Sequence, residues 1–159
     1  MDKSISKKVS DSRTEQIQIL MPEHINGFNR LFGGKLMEWI DVVAAVVARR
    51  HSGCNVTTAS IDNLQFKAPA YVNSTIFLLG QITYVGNTSM EVRVDTFVEE
   101  LNGTRRMINR AYLVLVALDN NDLPVPAPGI ILETEEEKAE WEAARKRCEL
   151  RKQRRREEF

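Results

Sequence analysis

One acid stands inside an apolar run. From Gly33 to His51 the chain reads GGKLMEWIDVVAAVVARRH, and Asp41 lies among Trp39, Ile40, Val42, Val43, Ala44 and Ala45. A carboxylate taken out of water is costly unless it is paired, protonated or put to use. Held there, it can act as a general base or attack an electrophile directly. Bonding to a backbone amide or a subunit neighbour is the plainer role for such an acid. Glu38 shares roughly the same helical face three residues earlier, where an ion pair is the simpler expectation. Gly33 and Gly34 would place backbone N–H groups at a helix N-terminus, natural donors to an oxygen gaining charge. They also suit a tight turn, and both roles can hold. The preceding segment, PEHINGFNRLFGG, is dense in Asn, Gly and His, a loop well placed for chemistry. Cys54 and Cys148 are far apart and form no CxxC pair, and no His/Cys/Asp cluster has metal-ligand spacing. Without a GxSxG elbow, a serine hydrolase is disfavoured.

These residues need a scaffold. The run from Gly33 has no polar stripe, so as a helix it must be wrapped by other structure; Arg49, Arg50 and His51 suit the negative end of its dipole. Its length is near the minimum for a membrane span, but Glu38, Asp41 and the strand-rich remainder predict a buried core helix. Glu15–Met21 alternates as a first strand, ended by Pro22. Strands follow over Val56–Phe66, Thr75–Val85 (with Gly80 as a possible bulge), Thr88–Glu99 and Arg105–Leu118, separated by turns at Gly86-Asn87 and Asn102-Gly103. The economical fold is α+β: an antiparallel sheet wrapped around one long helix, with surfaces left over that predict at least a dimer. Leu123–Ile131 is extended and Pro-rich. Thr134 with Glu137 then forms a capping box that opens a charged helix running toward Glu157.

The 159 residues suit one domain, organised as a flexible arm over 1–14, a folded domain over 15–132 and a charged helical tail over 133–159. Formal net charge is zero, which suggests no polyanionic partner. The basic half of the tail reads as a solvated helix. Sharper readings are a phosphate clamp for a nucleotide-tailed ligand or a weak nucleic-acid contact. The polar start lacks the apolar core of a secretory signal, its acids do not suit a mitochondrial presequence, and two cysteines fit a reducing cytoplasm.

The segment MPEHINGFNRLFGGKLMEWIDVVAA closely resembles the hotdog-fold acyl-CoA thioesterases, in particular the acyl-CoA hydrolase group that includes bacterial cytosolic and brain-type enzymes. The match rests on a Pro, a loop Asn, LFGG and a helix Asp. VTTASIDNLQFKAP resembles the group's second strand and its Phe-x-x-Pro exit, and GNTSMEV its Gly-x-Thr-Ser turn. The likeness runs from Gln16 to Pro128 and leaves the tail unassigned. It implies hydrolysis of fatty acyl-CoA to fatty acid and CoA in the cytoplasm. CoA would enter as part of the substrate, with no cofactor and no metal. It further implies a homodimer with shared active sites, with a trimer of dimers as the hexameric assembly.

Residue by residue, the resemblance makes Asp41 the general base or nucleophile and Asn26 the amide that orients water or holds the thioester oxygen. Gly34 becomes a backbone donor and Thr57 a hydroxyl near the site. Asn29 reads as a turn residue. Glu38 is the reserve acid, as in another branch of the fold, and His24 with Asp41 would suit a hydratase of that fold. Gly86, Thr88 and Ser89 could hold the pantetheine or diphosphate through backbone N–H and hydroxyl groups, with Arg93, Arg105 and Arg106 as phosphate partners or else solvated strand charges. The competing readings are a hotdog protein that binds acyl-CoA without turnover and a nucleic-acid module built on the tail.

Overall fold

Four long strands linked by short turns can satisfy their backbones only by pairing with near neighbours. The computed structural model, which describes residues 5–159, has them doing so. The chain runs β1 (Ser6–Lys8), α1 (Val9–Ser12), β2 (Thr14–Ile19), a 3-10 turn (Pro22–His24), α2 (Gly33–Ser52), β3 (Asn55–Phe66), β4 (Thr75–Val85), β5 (Ser89–Glu99), β6 (Arg105–Leu118), β7 (Gly129–Ile131) and α3 (Glu135–Glu157). The main sheet has the order β2-β4-β5-β6-β3, with every pair antiparallel. This is the hotdog arrangement: α2 lies on one face of the sheet. Its residues Leu36, Trp39, Ile40, Val43, Ala44, Val47 and Ala48 are buried with Val92, Val94, Leu113 and Leu115. The helix stops at Gly53, whose left-handed φ of 68° closes the last turn through an N–H bond to the Arg49 carbonyl.

Gly80 is not a bulge. It sits in register between Thr14 and Val94, and the irregularity in β4 falls later, between Ile82 and Tyr84. The glycine is there because α2 comes close: a Cβ on Gly80 would lie 2.6 Å from Val43 Cγ1 and 2.9 Å from Val47 Cγ2. The lone glycine in this strand therefore lets the helix sit down on the sheet.

The flexible arm expected over 1–14 differs from the structure. Residues 1–4 lie outside the described residues, but β1 pairs in parallel with β7, from Ser6 opposite Gly129 to Lys8 opposite Ile131. Val9 and Ser12 of α1 are buried. Three-residue strands carry little pattern of their own; this pairing is held by what flanks it. His51, fully buried at the end of α2, shares a 2.9 Å hydrogen bond with the Pro128 carbonyl, and the Arg50 guanidinium donates to the Arg13 carbonyl at 3.0 Å.

The tail is not a solvated helix either. Its cap forms as expected: Thr134 Oγ1 accepts from the Glu137 N–H at 3.1 Å, and Glu137 Oε2 accepts from the Thr134 N–H at 3.3 Å. Beyond the cap, α3 lies on the sheet face opposite α2. Glu91, 1% exposed, accepts from Arg147 at 2.8 Å and Arg151 at 2.7 Å. Glu140 pairs with both Arg93 and Arg147 at 2.6 Å, and Arg154 reaches Asp62 at 3.0 Å. The Arg147 guanidinium stacks 3.7 Å from the centre of the Tyr112 ring. Burial pushes the Glu140 carboxyl up, yet its bonds to Arg147 and the charge of Arg93 hold it below the usual carboxylate range. The alternating charges of β5 that read as solvent-facing are thus covered by a third layer.

Two outcomes follow from this packing. Gly80→Ala forces Val43 and Val47 aside and is expected to cost about 1–3 kcal/mol in denaturant unfolding, with part of the loss recovered when Val43→Ala is added. Burial, as the largest cause, holds the His51 pKa below its usual 6.5 despite the Pro128 bond. The folded state therefore favours the neutral ring, and that contribution is full above pH 6.5 and lost as pH falls from there toward the folded value. The melting temperature should decline on acidification below about 6.5, and His51→Gln should flatten that part of the profile, read by calorimetry across pH.

Candidate active site

Asp41 lies midway along α2, half-buried on the flank that the sheet does not fully cover. Its Oδ1 accepts a 2.6 Å hydrogen bond from the hydroxyl of Thr58 on β3. Thr58 is the hydroxyl that sequence reasoning missed by one residue. On a strand, successive side chains point to opposite faces. Thr58 pairs opposite the fully buried Leu115 and faces the helix, whereas Thr57 pairs opposite Val116 and is exposed on the other face. A register shift follows at once, between Thr58 and Ser60. Thr57 therefore cannot serve Asp41 of its own chain.

The loop before α2 is built around Asn26. Its side-chain oxygen accepts from the backbone N–H groups of Phe28 at 2.9 Å and Arg30 at 3.3 Å, and its own N–H bonds the Arg30 carbonyl at 2.8 Å. With the oxygen committed to the loop, the amide NH2 is the end left to donate outward. Asn29 takes the left-handed conformation at φ 58°, the turn role expected of it. The loop is pinned from below by Leu31 N–H to the Ala70 carbonyl at 2.8 Å. His24 is part of that scaffold: its Nδ1 accepts from the Met21 N–H at 3.0 Å, and its ring meets Trp39 edge-on with centroids 5.0 Å apart.

Gly33 and Gly34 open α2, where the first helical hydrogen bond is Leu36 N–H to the Phe32 carbonyl at 3.1 Å. The N–H groups of the first turn thus have no partner inside the helix, and no acid sits in that turn. A Cβ on Gly34 would lie 2.7 Å from the Phe32 ring, so the backbone is bare here because Phe32 folds over it. Glu38 is not at the site; it makes an exposed 2.9 Å ion pair with Lys35.

The residues assigned to a CoA tail separate. Gly86, Thr88 and Ser89 form the β4–β5 turn, but the Gly86 N–H is taken by the Ser89 carbonyl at 2.8 Å. Thr88 and Ser89 line a groove on one side of the turn, and Gly86 borders a different one. Arg93 is buried, paired with Glu140 at 2.6 Å and Asp95 at 3.3 Å, and offers nothing to an incoming phosphate. Arg105 lies at the other end of the sheet. Ten residues of β5, about 33 Å of strand, separate Ser89 from Glu99, the partner of Arg105 in register and in a 2.7 Å ion pair. The Arg105 guanidinium covers the Phe77 ring at 3.8 Å.

Among the described residues, no three His, Cys, Asp or Glu side chains come together to hold a metal ion, and no helix is long and apolar enough to cross a membrane.

A family model described as "Thioesterase superfamily" matches residues 28–103. A Bacillus subtilis (strain 168) protein named as an uncharacterized acyl-CoA thioester hydrolase is 39% identical over 147 residues, covering 92% of this chain and 86% of that one. The Rattus norvegicus cytosolic acyl coenzyme A thioester hydrolase is 32% identical over 87% of this chain, which spans only 37% of that relative's length. Among solved structures, an acyl-CoA hydrolase from Staphylococcus aureus, in complex with butyryl coenzyme A, coenzyme A and coenzyme A disulfide, superposes with a TM-score of 0.92. It is 34% identical and covers 97% of this chain and 94% of its own. Variants of that hydrolase with alanine in place of an Asp, an Asn and a Thr have also been solved. A structure described as an apo-hexameric acyl-CoA thioesterase has a TM-score of 0.90 at 40% identity, covering 94% of this chain and 96% of that one. With its hotdog sheet, its Asp-bearing central helix and a 39% identical relative matched over nearly all of both chains, this chain belongs to the thioesterase superfamily.

Proposed function

We propose that this chain hydrolyses acyl-CoA thioesters, with Asp41 of one protomer acting on a carbonyl held by Asn26 and Gly34 of a second. The observation that carries the reading is the 2.6 Å bond from Thr58 to Asp41, which fixes one carboxylate oxygen and leaves the other to act. The S. aureus hydrolase, with its butyryl-CoA complex and its alanine variants at an Asp, an Asn and a Thr, supports it.

The chemistry runs as follows. Asp41 takes a proton from water as the water oxygen bonds to the thioester carbon. The carbonyl oxygen becomes an oxyanion, met by the Gly34 N–H and the Asn26 amide. The C–S bond then breaks, and the leaving thiolate takes a proton, giving a carboxylic acid and CoA. Attack by Asp41 itself, through an anhydride, is the second route; hydroxylamine would trap that anhydride, as a hydroxamate on the acyl group or on Asp41, and label in the Asp41 carboxyl after a single turnover in heavy-oxygen water would mark its hydrolysis at the Asp41 carbon. No cofactor is required, because CoA arrives with the substrate.

Sharing of the site between protomers has a geometric reason. Gly34 and Asp41 are seven positions apart on α2, about 10 Å along the axis, too far for both to meet one carbonyl from the same helix. The surface needed for pairing is present: β3 has a neighbour on one side only. Ile61 and Phe66 on this strand are exposed, as are Met37 and Val42 of α2 and Phe28 and Phe32 of the loop before it. A trimer of such dimers is the larger assembly of this reading, in keeping with the hexameric relative. A cytoplasmic location is part of it too, in keeping with the rat relative's name and with Cys54 and Cys148 forming no disulfide.

Free-thiol release from short- to long-chain acyl-CoAs tests the activity. Asp41→Asn should lower kcat by about 10²–10⁴-fold. Thr58→Val, which removes a hydrogen bond to a charge, should lower it roughly 10–100-fold, while Thr57→Val leaves it near wild type. Full turnover by Asp41→Asn would refute the assignment, and binding without turnover in wild type would make the protein an acyl-CoA carrier. Co-expressed Asp41→Asn and Asn26→Ala chains should regain activity that neither has alone; no recovery would place the whole site within one protomer.

A further inference from the structure

Two adjoining stripes of α3 carry cations of different kinds. Glu140, Ala144, Arg147, Arg151 and Arg154 recur at helical spacing and face the sheet, where the arginines are bound to Glu91, Glu140 and Asp62. The adjoining stripe, Cys148, Lys152 and Arg155, borders an enclosed groove of about 510 Å³ between α3 and the outer ends of β3, β5 and β6. Among the described residues, Lys152 and Arg155 make no ion pair, and both are exposed. No carboxylate lines the groove. Its far wall carries the hydroxyls of Ser60, Thr88 and Ser89 over a floor that includes Val114 and Val116.

This placement has a cause. The acids on the sheet, Glu91 and Asp62, are already bound to Arg147, Arg151 and Arg154. The next cations along the helix therefore project over hydroxyls and valines with no counter-charge. Unpaired cations above a low-dielectric concavity focus positive potential into it, and hydroxyls opposite them can donate to phosphate oxygens. The volume lies within the range of small-molecule sites. The groove shares β3 with the site, on the opposite face of the sheet: Ser60 is two residues beyond Thr58 on this edge strand.

We propose that this groove binds the phosphorylated nucleotide end of the acyl-CoA substrate, with Lys152 and Arg155 as the phosphate-binding cations and Ser60, Thr88 and Ser89 as hydroxyl donors. This rests on the thioesterase reading above, and it replaces Arg93 and Arg105 with cations that the fold leaves accessible. The same phosphate chemistry could be supplied by a free nucleotide, so the test distinguishes the two.

The double variant Lys152→Ala/Arg155→Ala removes two exposed side chains and leaves the clamp of Arg147, Arg151 and Arg154 intact, so its melting temperature should match wild type. Two kinetic substrates carry the same acyl group, one as acyl-CoA and one as the phosphate-free N-acetylcysteamine thioester. A calorimetric titration uses 3′,5′-ADP. The expected result is a KM for acyl-CoA raised about 10-fold or more, kcat unchanged, kinetics on the phosphate-free thioester unchanged, and 3′,5′-ADP affinity reduced to a similar degree. Loss of 3′,5′-ADP binding with the acyl-CoA KM unmoved would overturn the assignment to the substrate tail and leave a separate nucleotide site. Unchanged KM and unchanged 3′,5′-ADP affinity together would remove the site altogether. If wild type turned over no thioester, the thioesterase reading would fall while the titration still decided whether the groove binds a nucleotide.

Discussion

The close seating of α2 on the sheet governs the rest of the molecule. One glycine, Gly80, removes the side chain that would hold Val43 and Val47 away. That contact sets the depth at which Thr58 meets Asp41. It also fixes the rotation of the helix, which buries Trp39, Ile40 and Val43 and leaves Met37 and Val42 exposed on the other side. A helix with no polar stripe cannot be stable in water on all sides. The packing that makes Asp41 rigid within one chain is therefore the packing that leaves an apolar flank for a second chain to cover.

The two faces of the sheet are held by different physics. Toward α2 the contacts are apolar and non-directional. Toward α3 they are charges in alternation: Asp62 with Arg151 and Arg154, Glu91 with Arg147 and Arg151, Glu140 with Arg147 and Arg93, Asp95 with Arg93 and Arg110. Buried ion pairs add little net stability because desolvation offsets their attraction, but breaking one leaves an uncompensated charge. Such a layer acts as a register key. α3 can sit in one longitudinal position, the one in which each acid finds its arginine, and a slip by a turn would strand several charges at once.

Much of this was legible in the sequence. The apolar run and the turn residues were enough for the buried helix and the five antiparallel strands of the main sheet, since each long strand had a clear stop. The capping box at Thr134 read correctly because a cap is local. What failed was whatever depended on phase or on distant partners. Thr57 came from the resemblance, which carries a hydroxyl over by position and was one residue out of phase; which of two neighbouring threonines faces the helix is settled only by the pairing of β3 with β6. Arg93 read as a cation open to phosphate or to solvent because only the folded chain brings Glu140 to it, 47 residues later. The arm read as flexible because β1 has three residues and draws its order from β7, at the far end of the chain. Arg105 could not be excluded until the length of β5 was laid between it and the Gly86 turn.

The pairing of β1 with β7 also bears on how the chain is made. Ser6 meets Gly129 across 123 residues, the longest-range strand contact in the fold. Contacts so distant in sequence form late, because a large loop must close first. On a ribosome, β1 emerges some 120 residues before its partner and waits, unpaired, until β7 follows. The main sheet and α2 can assemble in the meantime from contacts already outside the tunnel. The strap of β1 on β7 and the groove beside α3, the next element, therefore both form after the main sheet and α2.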